Sequence, residues 1–518
     1  MRPTLWSEER ARAYRRARHW TADTFVAALE RNAKLAPDAT AFADERRLLT
    51  WAAARAWIET VACGLARAGL GRDTVLATWL PNSIEHYLAR FACELAGLLW
   101  LPIPYAAGAS EARSMLEAAG PAGLIFAATA RHDVARELGS LPAFAADIAW
   151  LDALARVRPS PEEAAELRVR AVRPGELAML VPTSGSTGAP KLCEYALDGA
   201  VARGRAQTEL FHLTSSDAIV AAVQGFGPSI TPLLAAPVAG AAVIVLERPE
   251  PAALLDAIAR HRATVVCAVP PVYRDLLPRL DDRARSVRIW YSTGMAMPKA
   301  LAQELEARTR GVVVSGYGGV DLGCWTASAP EDPPAVRHGT VGRARGGTEL
   351  RLVSDDGAEG EGEVWGRGPS STWGYFGDAA ATRSAWTADG WFRTGDVGRL
   401  DDEGNLVLVG RKVEVINRGG HKVYPEEIER LLEEHERVAR AAVVPYPDER
   451  LGERVCACVV AAPGARLTLD DIVTHLRARG LATYKLPERL ELLESLPAAP
   501  GGKVARRQLA QLVASEAV

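Results

Sequence analysis

Lysine is scarce in this chain: only seven of its 61 basic residues are lysine, at positions 34, 191, 299, 412, 422, 485 and 503. Cysteine is scarce too. The seven cysteines, at 63, 93, 193, 267, 324, 456 and 458, are odd in number and lack C-x-x-C spacing, which argues against a disulfide framework and for reduced, mostly buried thiols in a cytoplasmic protein. Cys456 and Cys458 should share one face of a strand, and two ligands alone make a poor metal site. The N-terminus lacks the apolar segment of a signal peptide. The longest charge-free stretch, Ala218 to Leu246, has the length of a membrane span, but Pro228, Pro232, Pro237, Gln224 and three glycines break it. It reads as a buried strand–loop–helix–strand passage. An excess of either charge is also missing: 61 basic and 64 acidic residues are intermixed for a net −3, which leaves no electrostatic footprint for nucleic acid or anionic lipid. The densest basic run, Arg10 to Arg18, follows Glu8 and Glu9 and is expected to be a solvated arm.

What is present is a large apolar fraction, 48% of 518 residues, enough for more than one domain core. Helical periodicity marks Thr24 to Lys34, Thr50 to Leu70 and Ile84 to Leu95, with a strand at Thr74 to Trp79. Short apolar runs at Leu124–Ala127, Leu177–Pro182, Ala218–Val223, Ala242–Leu246 and Val265–Val269 then alternate with helix-length segments, the pattern of a parallel α/β sheet. From Gly339 to Leu408 the texture turns Gly-rich and β-like, predicting a β-barrel-like subdomain. Ala155 to Pro174 reads as a polar, Pro-flanked loop. The fold class is therefore α/β, with a large N-terminal domain (1–410) and a small α+β C-terminal domain (414–518).

The segment Thr183-Ser-Gly-Ser-Thr-Gly-Ala-Pro-Lys191 packs four hydroxyls, two glycines and a lysine behind an apolar strand. Glycines let backbone N–H groups approach a polyphosphate, hydroxyls add donors, and a lysine follows phosphate oxygens as they move. A Ser/Gly cluster is equally the composition of a surface turn. The choice of lysine in a chain that otherwise uses arginine favours the phosphate loop, since a compact, flexible ammonium is what arginine cannot supply. Lys503, in Pro500-Gly-Gly-Lys503, stands out for the same reason.

Five further segments accompany the loop: Ser292-Thr-Gly-Met-Ala-Met-Pro298; Ser315-Gly-Tyr-Gly-Gly-Val-Asp321; Gly362-Glu-Val-Trp-Gly-Arg-Gly368 leading to Gly374-Tyr375; Thr394-Gly-Asp396; and Gly410-Arg-Lys-Val-Glu-Val-Ile-Asn-Arg-Gly-Gly420 running into Tyr424-Pro-Glu-Glu-Ile-Glu429. In this order and spacing they resemble the core motifs of the AMP-forming adenylating superfamily, which comprises acyl- and aryl-CoA synthetases, stand-alone adenylation enzymes and luciferases. The resemblance runs from about Thr24 to Leu509. It implies a C-terminal domain that rotates about a hinge at 411–413. A kinase-like protein or P-loop NTPase is the rival, but its Gly-Lys-Ser/Thr fingerprint is missing, because Lys191 follows Ala189-Pro190 and Lys503 precedes Val504.

By this resemblance Thr183, Ser184, Gly185, Ser186, Thr187, Gly188 and Lys191 would cradle the β,γ-phosphates of ATP, and Tyr317 would pack on adenine near Gly294. Asp396 would accept both ribose hydroxyls, with Arg411 also reaching the ribose. Asp321 would ligate Mg²⁺, and Lys503 would stabilise the adenylation transition state together with Lys191. An isolated T-G-D is ordinarily a turn, and a lone Tyr317 ordinarily a core aromatic; their joint occurrence favours function. The resemblance implies a carboxylic acid as substrate and coenzyme A, or a carrier-protein phosphopantetheine in trans, as acceptor. An amine acceptor, or a non-catalytic acyl-adenylate-binding protein, stays as an alternative. Monomer and homodimer are both open.

Three departures from the family pattern carry information. Val320-Asp321 replaces Thr-Glu, losing a hydroxyl and shortening the metal ligand by one methylene. Gln224-Gly-Phe-Gly227 stands where an aromatic–His pair is common, making Gln224, Gly225, Phe226 and Gly227 candidate pocket residues. Val413 occupies a hinge position usually held by Asp or Lys. The acyl pocket is expected between Gln224–Ser229, Trp290–Gly294 and Ser315–Trp325, with Gly318 and Gly319 leaving room for a ring. The Tyr14-to-Trp20 opening resembles the N-terminal arms of aryl- and alicyclic-acid members, so an aromatic or cyclic acid is the first choice.

Overall fold

The computed structural model describes residues 1–127, 144–154, 157–183, 190–224, 230–323, 326–354, 360–419, 421–497 and 504–515. The alternating apolar runs form two large sheets. One has six strands in the order Phe144–Asp147, Gly123–Phe126, Val75–Trp79, Leu99–Pro102, Leu177–Pro182 and Leu192–Ala196, parallel except for the last pair. The other has nine, in the order Arg343–Ala344, Thr326–Ala327, Val312–Tyr317, Ile289–Thr293, Val265–Ala268, Ala218–Ala221, Ala242–Val245, Thr40–Ala43 and Leu48–Thr50. Its central strands are parallel, and the strands are buried along their whole length, as parallel sheets covered on both faces require. The charge-free passage is resolved as expected into the strands Ala218–Ala221 and Ala242–Val245 with the helix Ala236–Ala239 between them. Among the described residues no helix is long and apolar enough to cross a membrane.

The helix Ile84–Ala96 is capped by Ser83, ends on left-handed Gly97, and is buried on every face. Its charges are consequently paired: Arg90 with Glu94, and Glu85 with Arg46 and Arg47. Just before it, the Asn82 amide donates to the carbonyls of Ala221 (3.0 Å) and Leu246 (2.7 Å) and its oxygen accepts from the Tyr87 hydroxyl (3.2 Å). A six-stranded-sheet loop is thereby tied to two strand ends of the nine-stranded sheet.

Two expectations need correction. The stretch 155–174 is not simply a loop: Pro161–Arg170 is a helix, nucleated by a capping box in which Ser160 Oγ accepts from the Glu163 N–H while Glu163 accepts from the Ser160 N–H. Polarity hid it, because the helix buries only Leu167. The basic N-terminal run is likewise not a free arm. Glu8–Arg16 is a helix, Ala11 is buried, and Trp6, Trp20 and Trp373 cluster around it with the Arg10 guanidinium 4.5 Å from the Trp373 ring centroid. Aromatic partners distant in sequence dock Arg10, while Arg12, Arg15, Arg16 and Arg18 are exposed as expected of a solvated face.

The β-like region contains a four-stranded sheet in the order Glu349–Val353, Gly362–Arg367, Phe392–Leu400 and Leu406–Arg411. Residues 1–297, 301–350 and 365–393 make one compact unit, and residues 298–300, 351–364 and 394–518 the other. In the second unit a sheet orders His421–Val423, Ile416–Arg418, Gly452–Ala461 and Val438–Asp448, with Arg489–Leu492 parallel to Gly452–Ala461. The helices Pro425–Leu432 and Leu469–Ala478 cover it through Ile428, Leu432, Ile472 and Leu476. Cys456 and Cys458 lie in one buried cluster with Val444, Leu509 and Val513. The six described cysteines are all buried, and Cys324 lies outside the described residues.

Candidate active site

Within the first unit, the antiparallel strands Leu177–Pro182 and Leu192–Ala196 pair Pro182 with Leu192 and continue one step further. The Thr183 N–H donates to the Lys191 carbonyl (2.8 Å), and the Lys191 N–H donates to Thr183 Oγ1 (3.3 Å). The proposed phosphate loop is thus clamped at its base. Its middle, Ser184, Gly185, Ser186, Thr187 and Gly188, lies outside the described residues. The Lys191 ammonium sits 4.9 Å from the centroid of the Tyr375 ring.

The parallel strands Ile289–Thr293 and Val312–Tyr317 pair Thr293 with Gly316 at their C-terminal ends, and Gly294 and Tyr317 are the next residues along each chain. Ligands of open α/β sheets bind at that edge. Gly294 has φ +86° with open space around a Cβ, so backbone conformation alone demands glycine there. Beyond Tyr317 the chain turns through Gly318 and Gly319 to Asp321. A Cβ on Gly319 would approach Asp321 Oδ1 to 3.0 Å, so a side chain there would crowd the carboxylate.

Hydrogen bonds from Tyr195, Thr372 and Tyr375 hold the turn that bears Asp321. The Tyr195 hydroxyl donates to the Val320 carbonyl (2.6 Å), the Thr372 hydroxyl donates to the Asp321 carbonyl, and the Tyr375 hydroxyl donates to Asp321 Oδ2 (3.1 Å). Val320 itself packs against the apolar core. Gln224 is equally committed: its amide donates to the Leu80 carbonyl (2.6 Å) and lies 3.4 Å from His86 Nδ1, while its oxygen accepts from the Tyr105 N–H (3.0 Å). Burial lowers the His86 pKa to about 4, so the ring is neutral at physiological pH. Gly225, Phe226 and Gly227 lie outside the described residues.

Within the second unit, Asp396 and Arg411 face each other across antiparallel strands, and Arg411 Nε lies 2.8 Å from Asp396 Oδ1. The T-G-D segment is part of a strand, with the Asp396 N–H on Thr394 Oγ1 (3.0 Å) and the Gly395 N–H on Glu363 (3.1 Å). Lys412 pairs with Glu363 at 3.5 Å. Past the turn Lys412–Glu414, Arg506 binds Glu414 (2.9 Å) and Glu429. Burial, reinforced by Glu414, Glu429 and Asp396 against the pull of Arg506, raises the neighbouring Glu426 carboxyl to about 7. The Val413 side chain and Lys503 lie outside the described residues.

A model of AMP-binding enzymes matches residues 29–376, and one of the AMP-binding enzyme C-terminal domain matches residues 427–503. The chain belongs to the AMP-binding enzyme family. Two relatives within it are the 3-[(3aS,4S,7aS)-7a-methyl-1,5-dioxo-octahydro-1H-inden-4-yl]propanoyl:CoA ligase of Mycobacterium tuberculosis, 32% identical over 94% of this chain and 99% of the relative, and the salicyl-AMP ligase / salicyl-S-ArCP synthetase of the same organism, 30% identical over 97% and 93%. ATP-bound MatB from Rhodopseudomonas palustris shares the fold with a TM-score of 0.85, covering 94% of this chain and 98% of that one at 24% identity. The two-domain α/β architecture and the AMP-forming ligase class expected from the sequence are those of the family.

Sequence reasoning gave no role to four AMP-binding-enzyme residues that the fold brings to the site: Tyr195, Thr372, Tyr375 and His86. Tyr375 stood in the motif that ends Gly374-Tyr375, the only hint available. Nothing in the local sequence tells that its hydroxyl meets an acid 54 residues away.

Proposed function

We propose that this chain activates a carboxylic acid with ATP, releasing pyrophosphate, and passes the acyl group to the thiol of coenzyme A. The observation that carries this is the pairing of Thr293 with Gly316 at the C-terminal edge of parallel strands, with Gly294 and Tyr317 next along each chain and Asp321 on the turn that follows. A planar base fits against a half-buried tyrosine next to a residue without a side chain, and the turn beyond it leads toward the phosphates.

In the first half-reaction a carboxylate oxygen attacks the α-phosphorus and the bond to the bridging β-phosphate oxygen breaks. Two anions meet, so positive charge must be in place beforehand. Lys191 would neutralise the departing pyrophosphate from its clamped loop base. Asp396 would accept the ribose hydroxyls, oriented by Arg411, and Lys503 would stabilise charge on the α-phosphate. Mg²⁺ would supply further positive charge to the phosphate oxygens. The donor suits that ion: Asp321 offers one carboxylate on its turn, and Mg²⁺ takes one or two carboxylates with phosphate and water. Asp321 would be its protein ligand. The C-terminal residues 414–518 would then turn about 411–413, and the thiol sulfur would attack the acyl carbonyl with AMP leaving.

An aromatic or alicyclic acid is favoured, since the two relatives above carry ring-bearing acyl groups in their names. Gln224 would border the acid pocket with Phe226. The salicyl-S-ArCP synthetase supports a second acceptor, a carrier-protein phosphopantetheine supplied in trans. The enzyme would work in the cytoplasm, as a monomer or homodimer. The test is pyrophosphate release across aryl, alicyclic and fatty acids, repeated with coenzyme A, a carrier protein or an amine. Release with a ring-bearing acid and thioester formation with coenzyme A is expected. If no acid triggers release, the non-catalytic acyl-adenylate-binding reading gains ground.

A further inference from the structure

We propose that Tyr375 is the positioning residue of this site, a joint that sets the Asp321 carboxylate for the metal through its hydroxyl and the Lys191 ammonium for the polyphosphate through its ring. The hydroxyl donates to Asp321 Oδ2 at 3.1 Å, and the ring centroid lies 4.9 Å from Lys191 Nζ. One side chain therefore touches both the candidate metal ligand and the candidate phosphate cation. Resting on the adenylate-forming reading above, this adds a residue to which the motifs assign no chemistry.

Tyr375 is itself held from every side. It is 4% exposed. Trp386 packs edge-on against its ring at 4.8 Å and 73°, its N–H donates to Thr382 Oγ1 (2.9 Å), and its backbone bridges Cys193, two residues past Lys191. A ring fixed in this way is a rigid reference for two flexible groups. The carbonyls of Asp321 and Val320 are pinned by Thr372 and Tyr195, which orients the backbone of the turn. The Tyr375 hydroxyl acts on the carboxylate itself, restraining one of its oxygens as outer partners of metal-ligating groups do. On the other side, the ring face attracts the ammonium and restricts a long side chain before substrate arrives.

The two contacts are separable by substitution. Tyr375→Phe removes the hydroxyl and keeps the ring, whereas Tyr375→Leu removes both. The primary readout is the Mg²⁺ concentration giving half-maximal ATP binding, followed calorimetrically without any acid, for wild type, Tyr375→Phe, Asp321→Asn and the double variant. For Tyr375→Phe the midpoint rises about tenfold, the usual effect of losing an outer partner. The double variant shifts no further than Asp321→Asn, because the hydroxyl acts through that carboxylate. Binding of inorganic pyrophosphate stays near wild type in Tyr375→Phe and weakens in Tyr375→Leu. The proposal is overturned if Tyr375→Phe keeps the wild-type Mg²⁺ midpoint, if the two shifts add, or if wild-type ATP binding is indifferent to Mg²⁺. Thermal melts accompany each variant, and Tyr375→Phe, which preserves the packing, decides the matter should Tyr375→Leu not fold. Failure of the ligase reading is seen separately, as absence of acid-dependent pyrophosphate release by the wild type.

Discussion

Arg411 Nε lies 2.8 Å from Asp396 Oδ1, on residues that are direct partners across two antiparallel strands. With the Arg411 side chain 41% exposed, an ion pair of this kind adds little to stability. Its value lies in geometry: the arginine holds one carboxylate oxygen where the ladder between the two strands ends.

Asp396→Ala is therefore expected to weaken ATP binding by about 10- to 100-fold, the worth of hydrogen bonds to a charged acceptor, with little change in melting temperature. Calorimetric titration with ATP checks this. An unchanged affinity would remove the ribose assignment.

Lys503→Ala should lower carboxylate-dependent pyrophosphate release by at least about a hundredfold, the effect of losing a group aimed at developing charge, while ATP still binds. Near-normal adenylation would exclude Lys503 from that role.

Asn82→Ala removes the buried amide that meets the carbonyls of Ala221 and Leu246 and the Tyr87 hydroxyl. A loss of about 2–3 kcal/mol is expected from the buried hydrogen bonds removed. Denaturant unfolding of the variant measures it, and a loss under about 0.5 kcal/mol, the range of ordinary surface changes, would mean that water replaces the amide.

Glu426 has an ordinary value of 4.5 and is raised to about 7 in the folded protein. Stability held by its protonated form is complete below 4.5 and is lost as pH rises through 7. The difference in melting temperature between Glu426→Gln and wild type should therefore grow in favour of the variant from pH 4.5 to 8. A difference independent of pH would contradict the raised value.

Much of this architecture is legible in order alone. The apolar runs at 177–182, 218–223 and 265–269 alternate with helices, and parallel strands buried on both faces have no other pattern to follow. Gly294 and Tyr317 could be named because motif order is a one-dimensional property. The helix Pro161–Arg170 was missed since its single buried leucine provides no periodic signal, although its capping box is written in Ser160 and Glu163. The docking of the arm through Arg10 is not legible in order, because its partner, Trp373, lies more than 350 residues further along the chain.

The sequence by itself determined the family and the cast of charged groups, because a lysine in a glycine-rich loop and an acid in T-G-D are chemical identities that folding cannot change. Only the tertiary structure decided which residue meets which. Tyr375 lies beside Asp321 and Lys191 because a strand at 192–196 bridges to residue 375, and Gln224 proved committed to Leu80 and Tyr105. Such contacts join residues remote in the chain, and their energy exists only once both segments are packed.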